Sequence, residues 1–292
     1  MRCRSLLKIV LKLMLDTYRD WSENQAPRHA AALAYYTLFS CVPLCLIILS
    51  LAGLFMQEQV ASQQLTNQIE SFMGPAAREF FEGLLQASRN SSHGVLATLF
   101  GFVAAAWGGV QLVGQLQFSL NSIWRVRARS DIGWRGSVWS KLQAGFLVLL
   151  GSVFLLVAQF FGSVMSALQQ LGGGMPLGIF WALADFLTST LLSSLLFGAV
   201  FKVLPAVRLD WKDIAVGAVL TSLLFTLGRL LLTWYMSHGA VASSYGAAAT
   251  LVLVLLWCNY SAQIVLFGAA FTRQWMLSQG RQAQAAWAGE LV

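Results

Sequence analysis

Apolar residues fill long stretches of this chain, and polar residues are concentrated in the connections between those stretches. Six stretches contain 18 or more predominantly apolar residues, and about 20 helical residues cross the hydrocarbon of a bilayer. Because backbone polar groups must be paired in lipid, each stretch is predicted to be a transmembrane α-helix. The predicted spans are residues 33–56, 95–118, 142–168, 178–204, 214–236 and 246–272.

The composition supports the same interpretation. Hydrophobic residues make up 57% of the 292 residues and charged residues only 11%, whereas a soluble domain is about 25% charged. No segment has the composition of a separate soluble domain. The sequence therefore predicts an all-α integral membrane protein with one polytopic membrane domain over residues 1–292.

The cationic residues are distributed unequally between alternate connections. Sixteen Lys and Arg residues lie before the first span, in the second-to-third and fourth-to-fifth connections, or in the C-terminal tail, and the three opposite connections contain only Arg78 and Arg89. By the positive-inside rule, this asymmetry predicts that both termini are cytoplasmic. Topology thereby explains the net charge of +7, and a nucleic-acid partner is not predicted.

Two amphipathic segments flank the first predicted span. Residues 1–29 are predicted to form a cytoplasmic amphipathic helix at the membrane surface. Residues 57–94 are predicted to form an external loop of two helical stretches interrupted at Gly74-Pro75, which either covers the bundle or gates a substrate path. The apolar residues at helical spacing are Leu6, Leu7, Val10, Leu13 and Met14 in the first segment, and Leu65, Ile69, Phe72, Phe80, Phe81, Leu84 and Leu85 in the second.

No catalytic pattern occurs in the sequence. His29, His93 and His238 lie at three separate span ends on different predicted sides of the membrane, so they are not expected to form one metal site or catalytic dyad. The common nucleophile, zinc and phosphate-binding motifs are also absent. The sequence predicts a protein that is not an enzyme and that has no cofactor and no metal.

Two ionisable residues lie well inside the predicted spans. Asp185 is seven residues after the start of the fourth span, and Arg229 is seven residues before the end of the fifth. At 1.5 Å per residue, each lies roughly 10 Å below the outer end. Since an unpaired charge there costs about 2.5–3.5 kcal/mol on insertion scales, the two side chains are candidates for an ion pair or for a substrate site.

Polar residues also recur on one face of several predicted spans. They indicate either a polar cavity or hydrogen bonds between helices, which contribute roughly 0.6 kcal/mol per contact. The polar faces are Arg229 with Ser222, Thr226 and Thr233; Asp185 with Thr188, Ser189 and Ser193; Gln111 with Gln115; and Asn259 with Gln263. All of these residues except Thr188, Ser189 and Ser193 are candidate pathway or substrate-binding residues.

Four stretches resemble a known family. They are "AAALAYYTLFSCVPLCLIILSLAGLF" (Ala30–Phe55), "LNSIWRV" (Leu120–Val126), "LPAVRLDWKDIAVGA" (Leu204–Ala218) and "SSYGAAATLVLVLLWCNYSAQIVLFGAAFT" (Ser243–Thr272). Together they resemble the YihY/BrkB family of bacterial inner-membrane proteins. The resemblance implies six spans, cytoplasmic termini and a location in the inner membrane.

The same resemblance bears on two local motifs. Gly228-Arg229 matches the glycine and following Lys or Arg that the family usually has in its fifth span. Gly268-Ala269-Ala270 departs from the family pattern, which commonly has an acidic residue at the third position. A role resting on that carboxylate is therefore not transferred to this chain.

Two functions follow as hypotheses. The family has carried a ribonuclease BN label, a virulence label linked to serum resistance, and suggestions of envelope lipid export. The first hypothesis is a transporter or exporter of an anionic amphiphile, such as a lipid or envelope precursor, with membrane lipids as partners. The alternative is a non-transporting scaffold for envelope integrity or serum resistance. Ribonuclease activity is not favoured, because no acidic or histidine cluster is predicted to activate water on the cytoplasmic side. Assembly of two or more copies is compatible with the sequence.

Overall fold

The structure, a computed structural model, is mostly helical. It describes residues 2–52, 95–128, 178–238, 247–285 and 289–291, together with short pieces between residues 62 and 86. The named elements are α1 (Arg2–Glu23), α2 (Ala26–Ala52), α3 (Val95–Ile123), β1 (Val126–Ala128), α4 (Gly178–Val203), β2 (Val207–Arg208), α5 (Trp211–His238), α6 (Ala247–Ser278), β3 (Gln284–Ala285) and β4 (Gly289–Leu291).

Three helices are long and apolar enough to cross a membrane in the part of the chain whose side chains are described. The qualifying stretches are Phe186–Val203 in α4, Trp211–Leu231 in α5 and Leu251–Ser278 in α6. α2 includes residues 33–52 of the first predicted span, whose last four residues lie outside the described part of the chain, and α3 contains the second. The third predicted span, 142–168, lies outside the described residues.

A continuous apolar face on α4 supports membrane insertion. Leu187, Leu191 and Leu195 are each more than half exposed, and their spacing of four residues places them on one side of the helix. In water, such a contiguous apolar surface would be a binding site or an aggregation liability. In a bilayer, lipid acyl chains cover this apolar surface, so it does not promote aggregation.

The chain divides into two compact units, and several helices contribute to both. The first unit comprises Met1–Ala26, Gln117–Thr226 and Ile264–Val292, and the second comprises Pro27–Leu116 and Leu227–Gln263. Each is described below by its own contacts. The single membrane domain over residues 1–292 stays a prediction.

In the first unit, α5 and α6 approach closely through two glycine–threonine contacts. The side chain of Thr272 occupies the space that a Cβ on Gly217 would fill, and Thr221 does the same at Gly268. Each threonine hydroxyl donates to the carbonyl four residues earlier on its own helix, Thr221 to Gly217 at 2.6 Å and Thr272 to Gly268 at 2.7 Å. The hydroxyls are therefore satisfied within their own helices, and the two helices pack antiparallel with small residues between them.

A buried carboxylate joins α1 to α6 in the first unit. The Asp20 side chain is 3% exposed, and Arg273 Nη1 donates to its two oxygens at 2.6 and 2.7 Å. Arg125, just after α3, adds a longer contact at 3.4 Å. Trp21 also packs edge-on against Phe267, with ring centroids 6.4 Å apart. Since a buried charge is tolerated only when it is paired, this cluster fixes α1 against the end of α6.

Short strands hold the C-terminal tail against two connections of the first unit. β4 pairs antiparallel with β1, and β3 pairs antiparallel with β2. Beside them, Asn121 Oδ1 accepts a hydrogen bond from the backbone nitrogen of Ala206 at 2.8 Å. These strands were not predicted, because pairs of two or three residues carry too little sequence pattern to be recognised.

In the second unit, part of the segment between α2 and α3 packs against the helices. Ala34 on α2 and Val254 and Cys258 on α6 form a buried apolar cluster, and Ile69 packs against it. Phe81 is also buried. These contacts are those expected of a segment that covers helices.

Ion pairs connect the two halves of the same segment. Arg78 donates to Glu70 at 2.8 Å and to Glu82 at 2.7 Å. These hydrogen bonds, first that of Glu70 and then that of Glu82, raise the pKa of the Arg78 guanidinium above its ordinary value. Because all three groups are substantially exposed, the contacts set geometry more than stability.

We predict that Asp20→Asn destabilises the protein by about 3–5 kcal/mol, because it leaves the largely buried Arg273 guanidinium without its counter-ion. Glu23→Gln is the matched control, since the Glu23 side chain is 69% exposed and lies 3.7 Å from Arg125; its effect should stay within about 1 kcal/mol. Thermal and denaturant unfolding in detergent, followed by circular dichroism, would measure both. Equal losses for the two variants would contradict a structural role for the buried pair.

Candidate functional site

Arg229 lies on α5 in the second unit, with its side chain partly buried. No ion pair or hydrogen bond joins its guanidinium to any residue that the structure describes. Asp185 and Thr233 lie on helices whose backbone is described, but their own side chains are not among those that the structure describes. The pairing of Asp185 with Arg229 therefore stays a prediction.

The residue before Arg229 is covered by an aromatic ring. Gly228 is buried, and a Cβ at that position would overlap Tyr260 on α6, with 2.6 Å to the hydroxyl oxygen. A glycine is required there because the phenol ring lies directly on the α5 backbone. This contact sets the distance between α5 and α6 at the position next to Arg229.

Sequence reasoning did not identify Tyr260 as part of this region. A glycine in an apolar span indicates a close contact, but the partner can be any large residue of a neighbouring helix. The resemblance had singled out Gly228-Arg229 as a motif. The structure adds a physical reason for the glycine half of it.

The amide residues of the candidate set also belong to the second unit. On α6, Gln263 Nε2 donates to Asn259 Oδ1 at 2.5 Å, so this predicted pair is joined by a hydrogen bond along its own helix. Gln111 and Gln115 on α3 are partly buried. Asn259 and Gln263 retain further donor and acceptor groups after the contact between them.

The remaining candidates lie where α4 meets α5 in the first unit. Ser222 is fully buried, and its hydroxyl donates to the carbonyl of Thr190 at 2.8 Å. Ser194 donates to the same carbonyl at 2.7 Å. Thr226 is also buried. The Ser222 hydroxyl therefore forms a hydrogen bond between α5 and α4. This bond explains why a polar residue lies at this buried position without requiring a ligand.

The polar face of α4 differs from the predicted one. Thr188, Ser189 and Ser193 are only partly buried, whereas Thr190 and Ser194 are 9% exposed. The hydroxyl of Thr190 has no hydrogen-bond partner among the described residues. Thr190, whose carbonyl accepts from Ser222 of α5, was not among the residues of the predicted polar face.

A metal site was not predicted, and the described residues contain no group of three or more His, Cys, Asp or Glu side chains placed to bind a metal ion. The candidate residues of the second unit whose side chains are described comprise one cation, Arg229, and the neutral amides of Gln111, Gln115, Asn259 and Gln263, a chemistry that suits binding of an anion.

Comparison with known proteins identifies a family. A family model described as "Virulence factor BrkB" matches residues 17–290. Similar curated proteins are UPF0761 membrane proteins of three bacteria. That of Mannheimia succiniciproducens is 26% identical over 92% of this chain and 91% of the relative. That of Actinobacillus pleuropneumoniae is 27% identical over 90% of this chain and 92% of the relative, and that of Haemophilus influenzae is 28% identical over 86% of this chain and 90% of the relative. No solved structure matches the chain.

Substitution of Gly228 should reveal how tightly Tyr260 packs on α5. We expect Gly228→Ala to destabilise the protein by about 1–3 kcal/mol through overpacking. Gly109→Ala on α3 is the control, since nothing lies within 4 Å of a Cβ there, and it should stabilise the helix by up to about 1 kcal/mol. Unfolding in detergent would measure both effects.

A double variant separates the ring contact from a backbone effect. Tyr260→Ala removes the atoms that overlap the new Cβ of Gly228→Ala. In the Gly228→Ala background, Tyr260→Ala should therefore lower the free energy of unfolding by less than it does in the wild-type protein. Strict additivity of the two losses would contradict the ring contact.

Proposed function

Because the chain belongs to the BrkB family, we propose that it is an inner-membrane transporter or exporter of an anionic amphiphile, either a lipid or an envelope precursor. The observation that carries the proposal is Arg229, a cation within a helix of membrane-spanning length and composition. The relatives' names state that they are membrane proteins and nothing about a substrate.

The position of Arg229 supports a role inside the bilayer. It follows Trp211 by roughly 27 Å and precedes His238 by roughly 14 Å along α5, at 1.5 Å per residue. A snorkelling arginine sits near a helix end, where its head reaches the interface. A guanidinium at this depth that no described residue pairs with gains most from an anionic ligand.

In the proposed mechanism, Arg229 binds the anionic headgroup. Asn259 and Gln263, with Gln111 and Gln115, supply neutral hydrogen bonds to the rest of a polar headgroup. Asp185 serves as the resting counter-ion of Arg229 or as a proton-coupling carboxylate. No covalent bond is made or broken in this mechanism, so the proposed protein is a transporter and not an enzyme.

The transport proposal includes six spans with both termini in the cytoplasm. We predict that Gln63→Cys, in a variant whose four native cysteines are replaced, reacts with a membrane-impermeant maleimide in spheroplasts. Lys212→Cys should react only after the membrane is permeabilised. Both native side chains are exposed, so access from the correct side is the only requirement. The reverse labelling pattern would overturn the topology.

The scaffold function is supported by a separate observation. Ser222 and Thr190 join α4 to α5 through a buried hydrogen bond, which gives these polar residues a role in helix packing that needs no pathway. In that case the Asp185–Arg229 pair would fix helix register. Envelope integrity or serum resistance would then depend on the assembled protein rather than on flux.

Flux in proteoliposomes distinguishes the two functions. We expect the purified protein to move fluorescent phosphatidylglycerol between leaflets faster than labelled phosphatidylcholine. Arg229→Ala should reduce the flux of the anionic lipid at least about tenfold, because the loss of one charge-assisted hydrogen bond weakens binding by about that factor. Arg229→Lys keeps the charge and should retain part of the flux. Leu230→Ala, at an exposed neighbour on α5, is the control and should leave flux unchanged.

The outcomes separate the parts of the proposal. Flux no higher than in empty vesicles would count against transport, and equal flux for wild type and Arg229→Ala would remove Arg229 from the mechanism. Exchange of the two charges, Asp185→Arg with Arg229→Asp, tests the scaffold. Recovery of both folding and cellular phenotype would favour a structural pair, and recovery of folding alone would favour a directional site.

A further inference from the structure

Helix α1 has an exposed apolar stripe on one face. Leu11, Leu15 and Tyr18 are 60%, 51% and 58% exposed, and their spacing of four and three residues aligns them along one side of the helix. Scattered apolar residues on a surface need no explanation, but three large ones in a row mark an interaction site.

The stripe is distinct from the face by which α1 contacts the protein. Thr17 and Asp20 are buried, and Arg273 and Phe267 of α6 hold that side. The predicted membrane face had included Leu13, which is only partly exposed beside Thr17. Packing against α6 therefore uses one apolar side of α1 and leaves a second side uncovered.

The contacts with α6 also place α1 relative to the membrane. Arg273 lies in the last turns of α6, whose apolar stretch Leu251–Ser278 is long enough to cross a bilayer. A helix fixed to that end by the Asp20–Arg273 pair is at the level where hydrocarbon gives way to headgroups. Tyrosine is enriched at this level of membrane proteins.

A row of cations runs beside the stripe. Lys8, Lys12 and Arg19 are exposed and lie within about 40° of one another around the helix axis, adjacent to the apolar stripe. Of the carboxylates of α1, Asp20 is paired, while Asp16 and Glu23 lie on the far side of the cationic row. An apolar stripe bordered by cations is complementary to an anionic lipid surface.

We propose that α1 is a binding element for anionic phospholipid. Leu11, Leu15 and Tyr18 enter the boundary between acyl chains and headgroups, and the cationic row binds lipid phosphates. The charge complementarity and the fixed position at the end of α6 favour lipid over a protein partner. This binding is independent of transport, because it needs neither Arg229 nor flux.

Site-specific quenching of the full-length protein in nanodiscs tests the insertion. In the variant without native cysteines, an environment-sensitive fluorophore is attached at Leu15→Cys or, as control, at Glu23→Cys. We expect doxyl-labelled lipid to quench the label at position 15 and aqueous iodide to quench the label at position 23. Quenching of both labels by iodide alone would overturn the proposal, as would protection of position 15 from both quenchers, which would indicate a protein contact.

The charge requirement is tested with two quenchers in a neutral bilayer. Doxyl phosphatidylglycerol should quench the label at position 15 more strongly than doxyl phosphatidylcholine, by up to about fivefold per cation at low ionic strength. The triple variant Lys8→Gln, Lys12→Gln and Arg19→Gln should remove the excess. The charge-matched variant Arg127→Gln, Arg208→Gln and Lys212→Gln, at exposed positions outside α1, should keep it.

Equal quenching by the two lipids in the otherwise unaltered protein would overturn the preference for anionic lipid. Loss of the excess in both triple variants would overturn the assignment to α1, because it would reflect the overall surface charge.

Discussion

The close approach of α5 and α6 is the constraint on which the described structure most depends. Where Gly217 and Gly268 face threonines of the opposite helix, the backbones meet with almost nothing between them. Each threonine satisfies its hydroxyl on its own helix, so the contact needs no water and no third residue. In lipid, where burial of apolar surface gives helices no net attraction, such packing is what holds them together. The same two helices meet at Gly228 and Tyr260 in the second unit, beside the membrane cation Arg229.

The two units differ in how they use polar residues. In the first, several buried polar side chains are paired: Asp20 with Arg273, Asp213 with Arg281 at 2.7 Å, and the Ser222 hydroxyl with the Thr190 backbone carbonyl. In the second, Arg229, Gln111 and Gln115 stay partly exposed. The Arg229 guanidinium has no ion-pair or hydrogen-bond partner among the described residues, so it is available to a ligand. This is the physical basis for locating the proposed pathway near Arg229.

Much of the helical layout was predictable from the sequence, because hydropathy reports the lipid-facing part of each helix directly. The predicted span 178–204 coincides with α4 to within one residue. α5 begins three residues before its predicted span, where the backbone carbonyl of Asp210 accepts from Ile214 and starts the helix. α6 extends to Ser278, since a helix continues into polar sequence beyond the hydrocarbon. The Asp20–Arg273 pair was not predictable, because 253 positions separate its members and no local pattern connects them. The Gly217–Thr221 and Gly268–Thr272 pairs share a spacing of four, a signal that could have been recognised.

The strand pairs at the C-terminal tail have a consequence for biosynthesis. β1 and β2 belong to connections made early, yet their partners β4 and β3 lie between residues 284 and 291. While the ribosome is still producing α6, both connections have unpaired backbone edges. The pairing is completed only when residues 284–291 have left the exit tunnel, so both connections reach their final backbone pairing after α6 has been synthesised.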